Sequence, residues 1–249
     1  MSATEFDLTK LEEFDTPTIC NALELIEPER RRFGYTVENV CCVNDDTAPR
    51  VGVVFTATMR SLDYPPIRGD DLKRERLRYY EYMSGDLGAP KVCLMQDLDG
   101  RDAGRGPFWG EFNVRVHRAL GFRAIVTDGS VRDVTKLPDD ILILARGLRP
   151  SHSFVHIVDF GGQVNVFGMV ASDGDVVHAD QHGAVAFPRE LAPEVAQRAV
   201  EFMESEAPVL DACKQGALTF EKLSRLYMAR GAIGQVPADQ QAHLETQPT

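Results

Sequence analysis

The chain has 249 residues, 43% of them hydrophobic and 26% charged, which is enough apolar material to fill a core as one large domain. Its formal net charge of −11 and pI near 5.0 exclude a general affinity for nucleic acid, whose phosphates an acidic surface repels. Met1 to Lys10 is acidic and lacks an apolar run, so neither a secretion signal nor a membrane span is expected there, and the chain reads as a soluble, cytoplasmic protein.

In chain order, Thr9 to Glu13 begins a helical pattern, and Thr16-Pro17-Thr18 supplies the cap and first turn of a helix running through Leu23 and Leu25. Glu27 to Arg32 reads as a polar connection. Val51 to Arg60 alternates like a strand and is broken by Tyr64-Pro65-Pro66-Ile67-Arg68-Gly69. Residues 70 to 84, with Leu72, Leu77, Tyr80 and Met83, predict the next helix, and Lys91 to Gln96 the next strand. The loop Asp97 to Gly106 is acidic and glycine-rich. It fits neither a dinucleotide fingerprint nor a Walker loop, and Phe108 stands where a calcium loop needs Glu. It is expected to line a site as a surface loop.

Trp109-Gly110-Glu111-Phe112-Asn113 opens an amphipathic helix with Phe112, Val116, Ala119 and Leu120 on its apolar face and Gly121 as its stop. Such a helix start leaves backbone N–H groups free for a carboxylate or phosphate. Ala124 to Thr127 predicts a short buried strand, and Asp128-Gly129 a turn that throws the chain out at its carboxyl end. Arg132 and Asp133 follow, a guanidinium fork beside a hard oxygen ligand. With the carboxylate of Glu111, these are the parts needed to stabilise an enolate.

Further on, Leu137-Pro138 closes a helical turn, and Ile141 to Ala145, Gln163 to Met169, Val176 to His178 and Ala184 to Phe187 predict strands, with a tight turn at Asp173-Gly174. Pro188-Arg189-Glu190 opens a helix with Leu191, Val195, Ala199, Phe202 and Met203 on one face. Helices interleaved with strands, followed by a strand-rich third, indicate a single layered α/β domain over residues 1–234. Residues 235–249, polar and rich in Gln, are expected to form an arm or a disordered tail. The five cysteines are odd in number and without Cys-x-x-Cys spacing, so no zinc site or disulfide framework is expected, and Cys93 reads as buried. His152 and His156 are spaced like metal ligands on a helix. Pro150 and the flanking serines make that segment a loop, where they read first as structural and second as substrate-binding. His178 and His182 read as structural.

The run from Trp109 to Val134 resembles the central motif of the family of 4-hydroxy-4-methyl-2-oxoglutarate aldolases and their fold relatives, the regulators of ribonuclease activity A (the RraA-like family). A weaker resemblance covers Thr16 to Leu23 and Gly174 to Pro188. The resemblance implies a swivelling α/β/α fold with a central mixed sheet flanked by helices. It implies that Arg132 contacts a pyruvate-like 2-keto acid, that Asp133 holds Mg²⁺ or Mn²⁺, and that Glu111 is the site's other acidic residue. The amides of Gly110, Glu111, Phe112 and Asn113 would receive the substrate. The implied reaction is cleavage of a C–C bond through a pyruvate enolate, by aldol cleavage or oxaloacetate decarboxylation, with water held by Glu111 as base. Family members are trimers or hexamers in which a neighbour's C-terminal Glu completes the site, for which Glu204 and Glu206 are the candidates. The competing expectation is a non-catalytic regulator that binds a protein partner. Such relatives lack the Asp after Arg, and Asp133 is present.

Overall fold

The computed structural model describes residues 6–44, 48–216 and 218–230. The expected tail at 235–249 lies outside them. Asp7 caps a 3₁₀ turn at Leu8–Glu13, and Asp15 caps α1 (Thr16–Ile26), its Oδ1 accepting from Thr18 N–H at 2.9 Å. The cap is therefore Asp15, one residue ahead of the predicted Thr16, while Pro17 takes the first turn where its missing N–H costs nothing. Pro28–Arg32, expected to be a plain connection, is a 3₁₀ turn.

After β1 (Cys41–Cys42) comes β2 (Arg50–Arg60), buried along almost its whole length rather than on alternate residues, because it runs through the middle of the sheet. Next are α2 (Asp70–Met83), β3 (Lys91–Asp97), α3 (Glu111–Ala119), β4 (Phe122–Val131) and β5 (Leu142–Leu148). Strands β2, β3, β4 and β5 pair in parallel, each carboxyl end on the same side. That edge is where α/β sheets hold ligands. Beyond lie β6 (His156–Phe160), β7 (Val164–Val166), β8 (Met169–Ala171), β9 (Val176–Asp180), β10 (Gly183–Phe187), α4 (Ala192–Lys214) and α5 (Phe220–Ala229). The expected strand over Gln163 to Met169 is in fact the β7–β8 hairpin, turned at Phe167-Gly168 where both residues have positive φ.

The resulting mixed sheet has the order β1-β5-β4-β3-β2-β9-β10, with β6 also pairing β2. One face packs under β7 and β8, the other under α2 and α3, while α1 and α4 close the β9–β10 end. This is a mixed α/β architecture with helices flanking a central sheet, as the sequence predicts.

The α2–α3 contact matters most for the site. His117 is fully buried with its two ring nitrogens partnered by Tyr79 Oη and the Asn113 carbonyl, each at 2.7 Å. Burial holds its pKa down at about 4, so it stays a neutral packing residue. Asn113 Nδ2 donates to the Phe108 carbonyl at 2.6 Å while Oδ1 accepts from Tyr80 Oη at 2.6 Å. The face of α3 that enters the core is thus Val114 and His117. The predicted face is largely on the outside: Phe112 is 70% exposed.

Candidate active site

The chain enters α3 alongside the end of β4. Trp109 forms a parallel bridge with Val131, and Arg132 N–H donates to the Trp109 carbonyl at 3.0 Å. The fully buried Trp109 ring, in edge contact with Phe108 and His117, anchors this pairing. Asp128 and Gly129, expected to form a turn, instead remain in β4, which carries a register shift between Thr127 and Ser130. The strand runs on to Val131, so Arg132 and Asp133 leave it directly beside the start of α3.

Gly110 is extended, and the space for a side chain there is already taken. A Cβ would meet Asp133 Oδ2 at 2.8 Å and Arg132 Cγ at 2.9 Å. Asp133 has left-handed φ and ψ of 59° and 32°, a conformation that bends its carboxylate back over the helix start, where Oδ2 accepts from Glu111 N–H at 3.4 Å. Such backbone is uncommon outside glycine, though Asp is among the few residues that tolerate it, and it gathers at functional sites. Among the described residues no acceptor takes the N–H of Phe112 or Asn113. These donors and the helix dipole remain available to an anion.

Arg132 Nε lies 3.6 Å from Asp133 Oδ2, with both side chains about one-third exposed. A pair this exposed contributes at most about 1 kcal/mol, so stability does not account for the arrangement. The Glu111 carboxylate pairs with Arg115 at 3.1 Å and reaches Lys136 at 4.0 Å. Val131, Arg132, Asp133, Val134, Leu148, Arg149 and Pro150 line an open cavity of about 390 Å³.

A model of the Aldolase/RraA family matches residues 16–186, well over half of the chain. The chain belongs to this family. Its RraA-like members include both aldolases and ribonuclease regulators. Among solved structures, similarity extends to an uncharacterized protein from Pseudomonas syringae pv. tomato str. DC3000, at 19% identity over 88% of this chain and 96% of that one, TM-score 0.64. It extends also to Streptomyces coelicolor RraAS2, an unusual member of the RNase ES inhibitor RraA protein family, at 21% identity over 80% and 93%, TM-score 0.63. A structure reported among novel cellulases from microbes of the gut ecosystem shares 17% identity over 80% and 85%, TM-score 0.65. These likenesses share a fold and carry no common activity. No curated protein matches the chain.

In this RraA-like chain Gly110, Glu111, Phe112, Asn113, Arg132 and Asp133 are brought together. The Asn113 amide side chain is committed to Phe108 and Tyr80, so only its backbone N–H points out of the helix start without an acceptor among the described residues. Glu204 and Glu206 lie on α4, which packs against α1, and Glu206 pairs with Arg230 at 2.7 Å. His152 is exposed and His156 buried at the start of β6. Their Nδ1 atoms face the carbonyls of Ser153 and Phe154. Sequence reasoning passed over Arg115, Lys136 and Arg149. The signals were there: Arg115 is one turn after Glu111, and Arg149 follows the strand that neighbours β4.

The loop from Asp97 is less a surface feature than a buried acidic joint. Asp97 accepts from Gly104 N–H at 2.7 Å and Asp99 N–H at 3.0 Å, and its own N–H donates to Asp128 Oδ1 at 2.6 Å. Asp99 in turn takes Ser61 N–H and Leu62 N–H, fixing the end of β2. Burial, with the Asp97 carboxylate adding to it, holds the Asp128 pKa up at about 7 against an ordinary 3.8. Between those values the folded state keeps a proton that the unfolded chain has lost, so this group's contribution to stability falls as pH rises. Asp128→Asn cannot titrate. Its stability relative to wild type is expected to rise across this window by at most about 1.4 kcal/mol per pH unit. Urea midpoints at pH 5 and 7 measure it, and identical pH dependence in both proteins would contradict it.

Among the described residues no group of three or more His, Cys, Asp and Glu side chains could hold a metal ion by itself, and none of their helices is long and apolar enough to cross a membrane. Cys93 is buried, as expected.

Proposed function

We propose that this chain is a divalent-metal-dependent lyase that cleaves a C–C bond of a 2-keto acid through a pyruvate enolate. The observation that carries the reading is the close approach at Gly110, which sets Arg132, the left-handed Asp133 and the free N–H groups of α3 around one point. Asp133 and Glu111 offer oxygen donors only, which suit Mg²⁺ or Mn²⁺. An ion of this kind needs just one or two carboxylates and completes its shell with water and substrate. When bound, it supplies Lewis-acid polarisation of the keto group.

The chain's own groups do the rest. The N–H groups of Phe112 and Asn113 receive the substrate carboxylate. Arg132 presents two parallel donors to the oxygen that gains charge as the C3–C4 bond breaks. In aldol cleavage the 4-hydroxyl proton passes to water held by Glu111, the C3–C4 electron pair becomes the enolate, and a proton returned to C3 gives pyruvate. Decarboxylation of oxaloacetate uses the same enolate without that base. We further propose a homotrimer or a hexamer of two trimers, supported by the apolar side chains left exposed on α3 and α5, including Phe112, Phe220 and Met228. Light scattering that gave a monomer at micromolar concentration would rule this out.

The test of the lyase reading is pyruvate release from oxaloacetate with Mg²⁺ or Mn²⁺. Wild type is expected to be active, and Asp133→Asn inactive with its fold intact, since the change removes one anionic oxygen without opening a cavity. Absence of metal-dependent release by wild type would point to the regulator reading, and normal turnover by Asp133→Asn would remove the metal assignment.

A further inference from the structure

Of the two histidines in the 151–156 segment, His156 is the buried one, at 6% exposure. Its backbone pairs with Arg60 of β2, and Phe154 N–H donates to the Ser61 carbonyl at 3.1 Å, so the ring is held in a fixed place. Nδ1 lies 2.9 Å from the Phe154 carbonyl. A carbonyl only accepts, so Nδ1 carries the ring proton and Nε2 of the neutral imidazole is a bare acceptor. Among the described residues nothing donates to Nε2, yet the atom is not sealed inside the core. A buried acceptor left in this way is costly unless a donor reaches it from outside.

His156 lines a cavity of about 280 Å³ together with residues 65–67 of the loop after β2, Leu72 and Glu75 on α2, and Ile157 and Val158 on β6. This cavity shares no residue with the one at Arg132. For scale, an apolar cavity of about 150 Å³ encloses benzene. Apart from His156 and Glu75 the lining side chains are apolar, and Ile67 and Val158 are 36% and 46% exposed, so a ligand would cover surface that the chain leaves open to water. No Lys or Arg lines the cavity to attract an anion, and Glu75 is already engaged by Arg78 at 3.1 Å. The walls are joined by an aromatic pair: Tyr64, next to Pro65, and Phe154, two residues before His156, have ring centroids 4.1 Å apart.

We propose that this cavity is a binding site for a small phenol, whose ring lies against the prolines and aliphatic side chains and whose hydroxyl donates to His156 Nε2. With a pKa of about 10 a phenol is neutral at pH 7, so it brings a donor without a charge to bury. The proposal does not rest on the lyase reading, because the two cavities are built from different residues.

Calorimetry on the full chain compares 4-methylphenol with toluene, which differ only in the hydroxyl. Wild type is expected to bind 4-methylphenol at least about tenfold more tightly, the scale of one hydrogen bond to an otherwise unpaired buried group. A site without the acceptor favours toluene, the more apolar molecule, so His156→Phe should remove or reverse the preference. That change also strips the Phe154 carbonyl of its partner. Ile67→Trp, at a partly exposed position, leaves His156 intact, fills the cavity and should weaken both ligands. Equal binding of the two by wild type, a preference kept in His156→Phe, or unchanged 4-methylphenol binding in Ile67→Trp overturns the proposal, as does no binding of 4-methylphenol at millimolar concentration. If His156→Phe fails to fold, the wild-type preference and the loss of binding in Ile67→Trp decide the matter.

Discussion

Arg132→Lys is expected to lower kcat for pyruvate production by at least about 10²-fold, the scale on which removing one preorganised donor to developing charge slows a reaction. Lysine keeps the positive charge but not the planar two-donor fork, so the substitution separates geometry from charge. Arg132→Ala should be slower still, and circular dichroism should be unchanged in both, since the side chain is about one-third exposed and, among the described residues, pairs only with Asp133. Were the residue simply half of a surface ion pair, either change would cost at most about 1 kcal/mol of stability and leave turnover intact. Near-normal kcat for Arg132→Lys in steady-state assays refutes the enolate contact.

Gly110→Ala is expected to reduce turnover comparably while barely affecting folding. Gly110 has φ near −158°, extended backbone open to any residue, so alanine brings no conformational strain. What it brings is a methyl group 2.8 Å from Asp133 Oδ2, 2.9 Å from Arg132 Cγ and 3.1 Å from Arg132 Nε. Those side chains are partly exposed and can swing away, which preserves the fold and displaces the groups proposed to bind substrate. A displacement of about 1 Å can cost on the order of 10²-fold in rate. Unfolding midpoints near those of wild type together with a large loss of kcat would support this account. A variant as active as wild type would show that the contact at Gly110 has no part in the chemistry.

The meeting of the two candidate-site segments was more legible in the sequence than the packing around them. Gly121 marked the end of α3 correctly, with φ of +92° just beyond the last turn. Arg132 and Asp133 do leave β4 beside the start of that helix. The face of α3 was misread because hydrophobic periodicity counts Phe112 and Val116 as core and His117 as polar. Nothing local reveals that Tyr79, far along the chain on α2, satisfies the imidazole and makes its burial inexpensive. Asp128-Gly129 was misread for a related reason. The pair has turn chemistry, but Asp97 N–H and the Arg146 guanidinium, which donates to the Asp128 carbonyl at 2.8 Å, hold it in the strand. In both cases a long-range hydrogen bond outweighed a local preference.

The position of β2 has a consequence for synthesis of the chain. One side of this strand pairs with β3, made soon afterwards, whereas Arg50–Val53 on the other side waits for β9 at Val176–Asp180. At about 5–20 residues per second that interval is roughly ten seconds, during which Val51, Val53 and Phe55 belong to an apolar strand with one bare edge. Such an edge is a template for pairing with another nascent chain. The molecule is therefore most exposed to aggregation before its C-terminal strands emerge, and expression at lower temperature or with a holding chaperone acts on that interval rather than on the stability of the finished fold.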